Sequence, residues 1–363
     1  MRIKSTLIIL TLIFLIACSQ NKTEEKYKFG AVLSLTGAQV YYGAFAKAGI
    51  DIAIEDINKK GGINGRPVLT IYEDSESDRN KAATAAQKLI NVDQVNALFT
   101  ITPPMAETIA PIAEDNKIPS IFISSTTFFA QNKTYVFKDY PSAELICEQL
   151  YKKAHEEGHN KIAFFGLNYE PTLLCKEIIE KDGELNAFET YNTGDTDFRT
   201  QLTKIKASGS TAVILLALAN QCKTVYKQMG ELQLNVQLYL PIHTFACGSK
   251  DNSKFGKEQL VNAYAGDIAL SEDSTDPLFV EFKKKLVERK LDIHPVGSAM
   301  LYDLVAEMAK AYEGCKDVQC VTNNIRKLNY NGITGNIAYN GDQVVERDIK
   351  LYKFESEKWK PIN

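Results

Sequence analysis

The 363-residue sequence predicts an α/β fold of two doubly wound parallel-sheet lobes. Two observations carry that prediction. Short β-branched or aromatic runs alternate with helix-period segments from Tyr27 to about Gly248, and the alternation restarts after Pro141 with no low-complexity insert between the rounds. Such βαβα order argues for a parallel sheet covered on both faces.

In the first round Phe29–Leu33 reads as a strand and Ala44–Lys59 as a helix. Ala46, Ile50, Ala53 and Ile57 recur there at helical spacing, and Gly61-Gly62 stops the helix. Val68–Tyr72 is a strand, Lys81–Ile90 a helix, Val95–Thr100 a strand, Pro104–Asn116 a helix and Ser120–Ser124 a strand. In the second round Ser142 caps a helix running to Glu157, followed by a strand at Lys161–Phe165 and a helix from Glu170. A strand near Phe188–Tyr191, a helix at Thr200–Ala207, a strand at Ala212–Leu216, a helix at Lys223–Leu232 and a strand at Gln237–Leu240 complete it. Two such lobes leave a crevice at the carboxyl ends of their strands, where ligands of doubly wound sheets bind.

The first residues set the compartment. Arg2 and Lys4 precede an apolar run, Leu7 to Ile16, too short to span a bilayer, so residues 1–17 read as a signal peptide. The run ends in Leu15-Ile16-Ala17-Cys18, which matches a bacterial lipobox. Cys18 is then the lipidated residue, and residues 18–26 form a polar tether to the membrane. A formal net charge of −3 without a basic face argues against nucleic acid as a partner.

Six cysteines follow Cys18 in an export setting where disulfides can form. Cys315 with Cys320 is the first choice of pair, and Cys222 with Cys247 the second. No Cys-x-x-Cys offers a zinc site. His155-Glu156-Glu157-Gly158-His159 spells a zinc-protease motif, but Gly158 sits where the helix must end, which puts His159 off the helical face. The sequence has no Gly-x-Ser-x-Gly elbow, Walker loop or dinucleotide glycine fingerprint, so neither catalysis nor a cofactor is expected.

Gly30-Ala31-Val32-Leu33-Ser34-Leu35-Thr36-Gly37, then Tyr42-Gly43, then Asp56 through Arg66 (Asp-Ile-Asn-Lys-Lys-Gly-Gly-Ile-Asn-Gly-Arg) form a specific opening. It resembles that of the branched-chain amino acid (leucine/isoleucine/valine) binding proteins of ABC transporters, the type I periplasmic binding proteins. Ala110-Pro111-Ile112-Ala113-Glu114, Gly194-Asp195-Thr196-Asp197-Phe198 and Gly332-Ile333-Thr334-Gly335 extend the resemblance along the chain. It implies a three-strand hinge between discontinuous lobes, 27–140 plus 269–339 and 141–268 plus 340–363. It also implies a monomer that captures a small polar ligand and delivers it to an ABC transporter permease. A ligand sensor or surface interaction lipoprotein on the same fold is the alternative.

The resemblance places a ligand carboxylate against Ser124, Ser125 and Thr126, with a hydroxyl from Thr102. Hydroxyls and free N–H groups beside a helix start suit such a group. Pro103 and Pro104, however, remove N–H donors at the second turn. Tyr42 and Tyr169 match the aromatic residues that cover the ligand. Two departures stand out. Leu218-Ala219 replaces an expected aromatic, and Pro241-Ile242-His243-Thr244 stands where an acid should pair with the ligand ammonium, with no carboxylate until Asp251. His243 is left to supply a hydrogen bond. A buried ammonium without a charged partner is costly, so ligands lacking one are expected to bind at least as well as leucine or valine.

Overall fold

The computed structural model describes residues 25–241, 247, 254, 256–270, 273–291, 293–345 and 347–362. Cys18, His243 and Asp251 lie outside the described residues.

The first sheet holds β1 (Tyr27–Leu33), β2 (Val68–Asp74), β3 (Ala97–Ile101), β4 (Ser120–Ile123) and β5 (Val136–Lys138) in the order β2-β1-β3-β4-β5. All its pairings are parallel. Alternation along β1 divides its side chains between two cores: Phe29, Ala31 and Leu33 enter one, and Val32 the other. Helices α1 (Val40–Lys59), α2 (Arg79–Asn91) and α3 (Pro103–Asp115) follow their strands, as the order of patterns predicts.

The second sheet is larger. It joins β6 (Ile162–Leu167), β7 (Ala187–Tyr191), β8 (Ala212–Leu216), β9 (Gln237–Pro241) and β10 (Tyr264–Ile268) in parallel. Helices α4 (Ala143–Glu156), α5 (Glu170–Asp182), α6 (Arg199–Ala207) and α7 (Ala219–Glu231) alternate with them, and Ser142 caps α4 through the Leu145 N–H. Here the structure departs from a purely parallel lobe. Beyond β10 the sheet is closed by β13 (Ile349–Glu355) and β14 (Lys358–Pro361), both antiparallel. The physical reason is the two-residue turn between them: Ser356 and Glu357 hold φ of 54° and 62°, a geometry that returns the chain beside itself.

Between β10 and β13 the chain forms α8 (Pro277–Glu288), α9 (Pro295–Tyr312), α10 (Val318–Arg326) and the hairpin β11 (Asn329–Gly332) with β12 (Gly335–Ala338). Helix α9 packs along α1, against the first sheet. Gly49 permits that approach, since a Cβ there would lie 1.9 Å from the Ser298 carbonyl oxygen. The chain thus passes between the sheets three times: after β5, after β10 and before β13. Hydrogen bonds tie these passages together. The Tyr140 hydroxyl donates to Asp267 Oδ1 (2.7 Å), and the Lys138 backbone forms a parallel bridge with Val344.

Three disulfides are present among the described residues: Cys147–Cys175, Cys222–Cys247 and Cys315–Cys320. The first, which joins α4 to α5, carries no short-spacing signal in the sequence. The zinc-protease motif is dispersed as expected. Helix α4 ends at Glu156, Gly158 takes φ +89°, and His159 Nδ1 instead meets Thr211 Oγ1 at 3.0 Å.

Candidate functional site

A cleft of about 570 Å³, counting the space open to solvent, lies where the carboxyl ends of the two sheets face each other. One wall is built by the turns after β1, β3, β4 and β5, contributing Gln39 and Tyr42, Thr102 and Pro103, Ser124 and Ser125, and Tyr140. The opposite wall is Tyr169, after β6, with Leu216, Ala217 and Leu218 at the end of β8. Ile101 and Ile123 form the floor. Among these lining residues none is charged. The cleft is an apolar, aromatic space with hydroxyls and one carboxamide on the first-sheet side.

Five of the seven residues expected to meet a ligand therefore converge: Tyr42, Thr102, Ser124, Ser125 and Tyr169. Thr126 departs from expectation. It is fully buried behind the wall, where its hydroxyl donates to Glu107 Oε1 at 3.3 Å and lies 3.0 Å from Ser124 Oγ. His243 falls outside the described residues. Leu218 stands in the wall.

Thr102 is the strained element. Its φ of 84° with ψ of 142° is a conformation that β-branched residues avoid. Two bonds hold it there: its N–H donates to the Ile123 carbonyl (3.0 Å), and its hydroxyl donates to Gln39 Oε1 (3.1 Å). Pro103 follows at the first helical position, where its fixed φ suits the start of α3. The result is a helix start without its first two N–H donors beside the cleft.

The tyrosines link the walls electrostatically. Burial pushes the Tyr169 phenol well above its ordinary range, and the neighbouring Tyr42, Tyr191 and Glu107 push it the same way. Burial likewise raises Tyr191, whose oxygen accepts the Leu218 N–H at 3.2 Å. Both phenols remain protonated donors at neutral pH. Sequence reading missed Gln39, Tyr140 and Glu107. Gln39 sits just before the Tyr42 motif, and Tyr140 just after β5, so both were open to inspection. Glu107 offered no signal, because its place beside Thr126 comes from packing of α3 on the turn after β4.

Two α/β halves facing each other across a cleft whose described lining carries no charge define a solute-binding protein. The chain matches the family model described as periplasmic binding protein over residues 26–358, and it belongs to that family. It is 24% identical to the leucine-, isoleucine-, valine-, threonine- and alanine-binding protein of Pseudomonas aeruginosa, over 94% of this chain and 92% of that one. It is 25% identical to Leu/Ile/Val-binding protein homolog 3 of Brucella melitensis, where the match spans 51% of this chain and 52% of the relative. In fold it resembles the branched-chain amino acid transporter substrate-binding protein LivJ of Streptococcus pneumoniae in complex with isoleucine. That likeness has a TM-score of 0.83 at 18% identity, covering 93% of this chain and 99% of the other. An ABC-transporter solute-binding protein of Rhodopseudomonas palustris in complex with 4-hydroxybenzoate gives a TM-score of 0.80 at 18% identity, over 93% and 96%. The family and fold are those of substrate-binding proteins, not of enzymes. Among the described residues no helix is long and apolar enough to cross a membrane.

Proposed function

We propose that the protein is a lipid-anchored solute receptor, held by Cys18, that captures a small solute with an apolar body and delivers it to an ABC importer permease. The relatives bind branched-chain amino acids or hydroxybenzoates, so one cleft design serves quite different polar heads. The observation that carries the reading here is that none of the described lining residues is charged. An α-ammonium buried there would find no carboxylate among the described lining residues, and burying it unpaired is costly. The solute on this reading is a branched-chain amino acid or a related amide or carboxylate, with ammonium-free heads expected to bind at least as well. Tyr42 and Tyr169 cover it, and Ser124, Ser125 and Thr102 face its head.

Calorimetry with leucine, its keto-acid analogue 4-methyl-2-oxopentanoate and 4-methylpentanamide tests this. At least one ammonium-free compound is expected to bind as tightly as leucine or better. Tight leucine binding with neither of the others would overturn the reading and restore an ordinary amino-acid receptor.

A further inference from the structure

We infer that Glu107 fixes the direction of a hydroxyl relay behind the cleft wall, so that Ser124 presents an acceptor and the ligand group seated there is an N–H donor, a primary carboxamide. This rests on the solute-binding reading above and names the head group within it.

The inference follows from counting protons. An ionised carboxylate only accepts hydrogen bonds, and a hydroxyl has a single proton to give. Thr126 Oγ1 lies 3.3 Å from Glu107 Oε1, so the Thr126 proton is committed to Glu107. Ser124 Oγ and Thr126 Oγ1 are 3.0 Å apart, and the proton between them must then come from Ser124. Ser124 Oγ also accepts the Thr126 backbone N–H at 3.1 Å. Its donor is used, and what it has left is a lone pair. Both are buried, but Ser124 lines the cleft and Thr126 does not. The site therefore meets a ligand at this point as an acceptor, the reverse of what a carboxylate needs.

The far side of Glu107 explains why the relay stays in this sense. Arg79 Nη2 donates to Glu107 Oε2 at 2.8 Å, an ion pair on the side away from Thr126. The same pairing compensates its charge, so the relay supplies an acceptor without the full counter-charge that a buried ammonium would require. A carboxamide fits: it donates through N–H and carries no net charge. A carboxylate at Ser124 would set two acceptors against each other, and an unpaired buried polar group is penalised.

The test compares matched pairs by calorimetry at neutral pH: 4-methylpentanamide against 4-methylpentanoate, and benzamide against benzoate. Wild type is expected to bind at least one amide at least tenfold more tightly than its acid. Glu107→Gln frees the relay to run either way, because the Gln side chain can donate or accept. Thr126→Val removes the relay and leaves the Ser124 proton for the ligand. Both variants should bring the amide-to-acid ratio within a few-fold of one. A merely structural role for Glu107 would weaken both members of a pair alike and leave the ratio unmoved. An acid preferred by wild type, or a ratio unchanged in both variants, overturns the inference. Binding of leucine with neither pair bound also overturns it, while no binding in a broad screen of small solutes would instead reject the solute-binding reading.

Discussion

Arg347 donates its Nε to Asp139 Oδ1 at 2.7 Å, with the two side chains 2% and 0% exposed. Asp139 follows β5 at the first passage between the sheets, and Arg347 precedes β13 at the third. One guanidinium thus clamps two passages, and it reaches Thr334 Oγ1 at 2.8 Å as well. Breaking a buried pair leaves a charge without its partner. Arg347→Met is expected to lower unfolding stability by about 3–5 kcal/mol, read from urea denaturation. Arg347→Lys should recover little, because an ammonium lacks the guanidinium fork. A loss below about 1 kcal/mol for Arg347→Met would show that the clamp is dispensable.

The acids beside that clamp predict a pH dependence. Asp303, on α9, is buried, and burial pushes its carboxyl up to about 6 despite Arg347 and the bonds from Thr334 and Ile333. In an unfolded chain an Asp titrates near 3.9. Between these values the folded state binds more protons than the unfolded one, so this group's contribution to stability falls as pH rises from about 4 to about 6 and is level above that. Asp303→Asn should flatten the slope. Denaturation midpoints for both proteins across pH 4 to 7 check it. A wild-type-minus-variant difference independent of pH would show that Asp303 does not titrate there.

Helix α1 and helix α9 touch where Gly49 leaves no room. Gly49→Ala would put a methyl 1.9 Å from the Ser298 carbonyl oxygen, a backbone atom that cannot swing aside. Overpacking of this kind costs about 1–3 kcal/mol or more. Thermal unfolding should therefore show a clear fall in Tm, although Ala is otherwise the better helix former. An unchanged or raised Tm would mean that the two helices are free to separate.

The cysteines give two chemical predictions. All six after Cys18 are paired, so alkylation of the unreduced, exported protein should add no mass beyond any change at Cys18. Two labelled thiols at any one pair would refute that bridge. Cys18→Ser should abolish metabolic labelling by fatty acid and release the protein or leave its precursor uncut. Persistent labelling would end the lipoprotein proposal.

The alternation of strand and helix was legible because both sheets are covered on both faces. Continuous apolar runs such as Ile162–Leu167 then stand out between amphipathic helices. Sequence patterns find β5 and β11 poorly, because three or four residues give no period to read. The site residues were legible where they follow a strand directly, as Ser124 and Tyr169 do. Thr126 lies outside the cleft lining for a reason that sequence does not carry. The turn after β4 brings Ser124 and Ser125 to the cleft but not Thr126, whose hydroxyl is claimed by Glu107 from a separate helix. The Cys147–Cys175 bridge was similarly hidden, since it depends on α4 lying beside α5.

The position of Arg347 after its acidic partners in chain order bears on the timing of folding during export. A polypeptide threaded through a membrane from its N-terminus delivers Asp139, Asp303 and Glu307 well before the residue that neutralises them. Until residue 347 arrives, Asp139 and Glu307 lack the guanidinium that pairs with them, and the second sheet still lacks β13 and β14. Native packing around the clamp is thereby deferred until residue 347 is available. A chain ending at Asn340 should accordingly stay protease-sensitive throughout, with neither half protected.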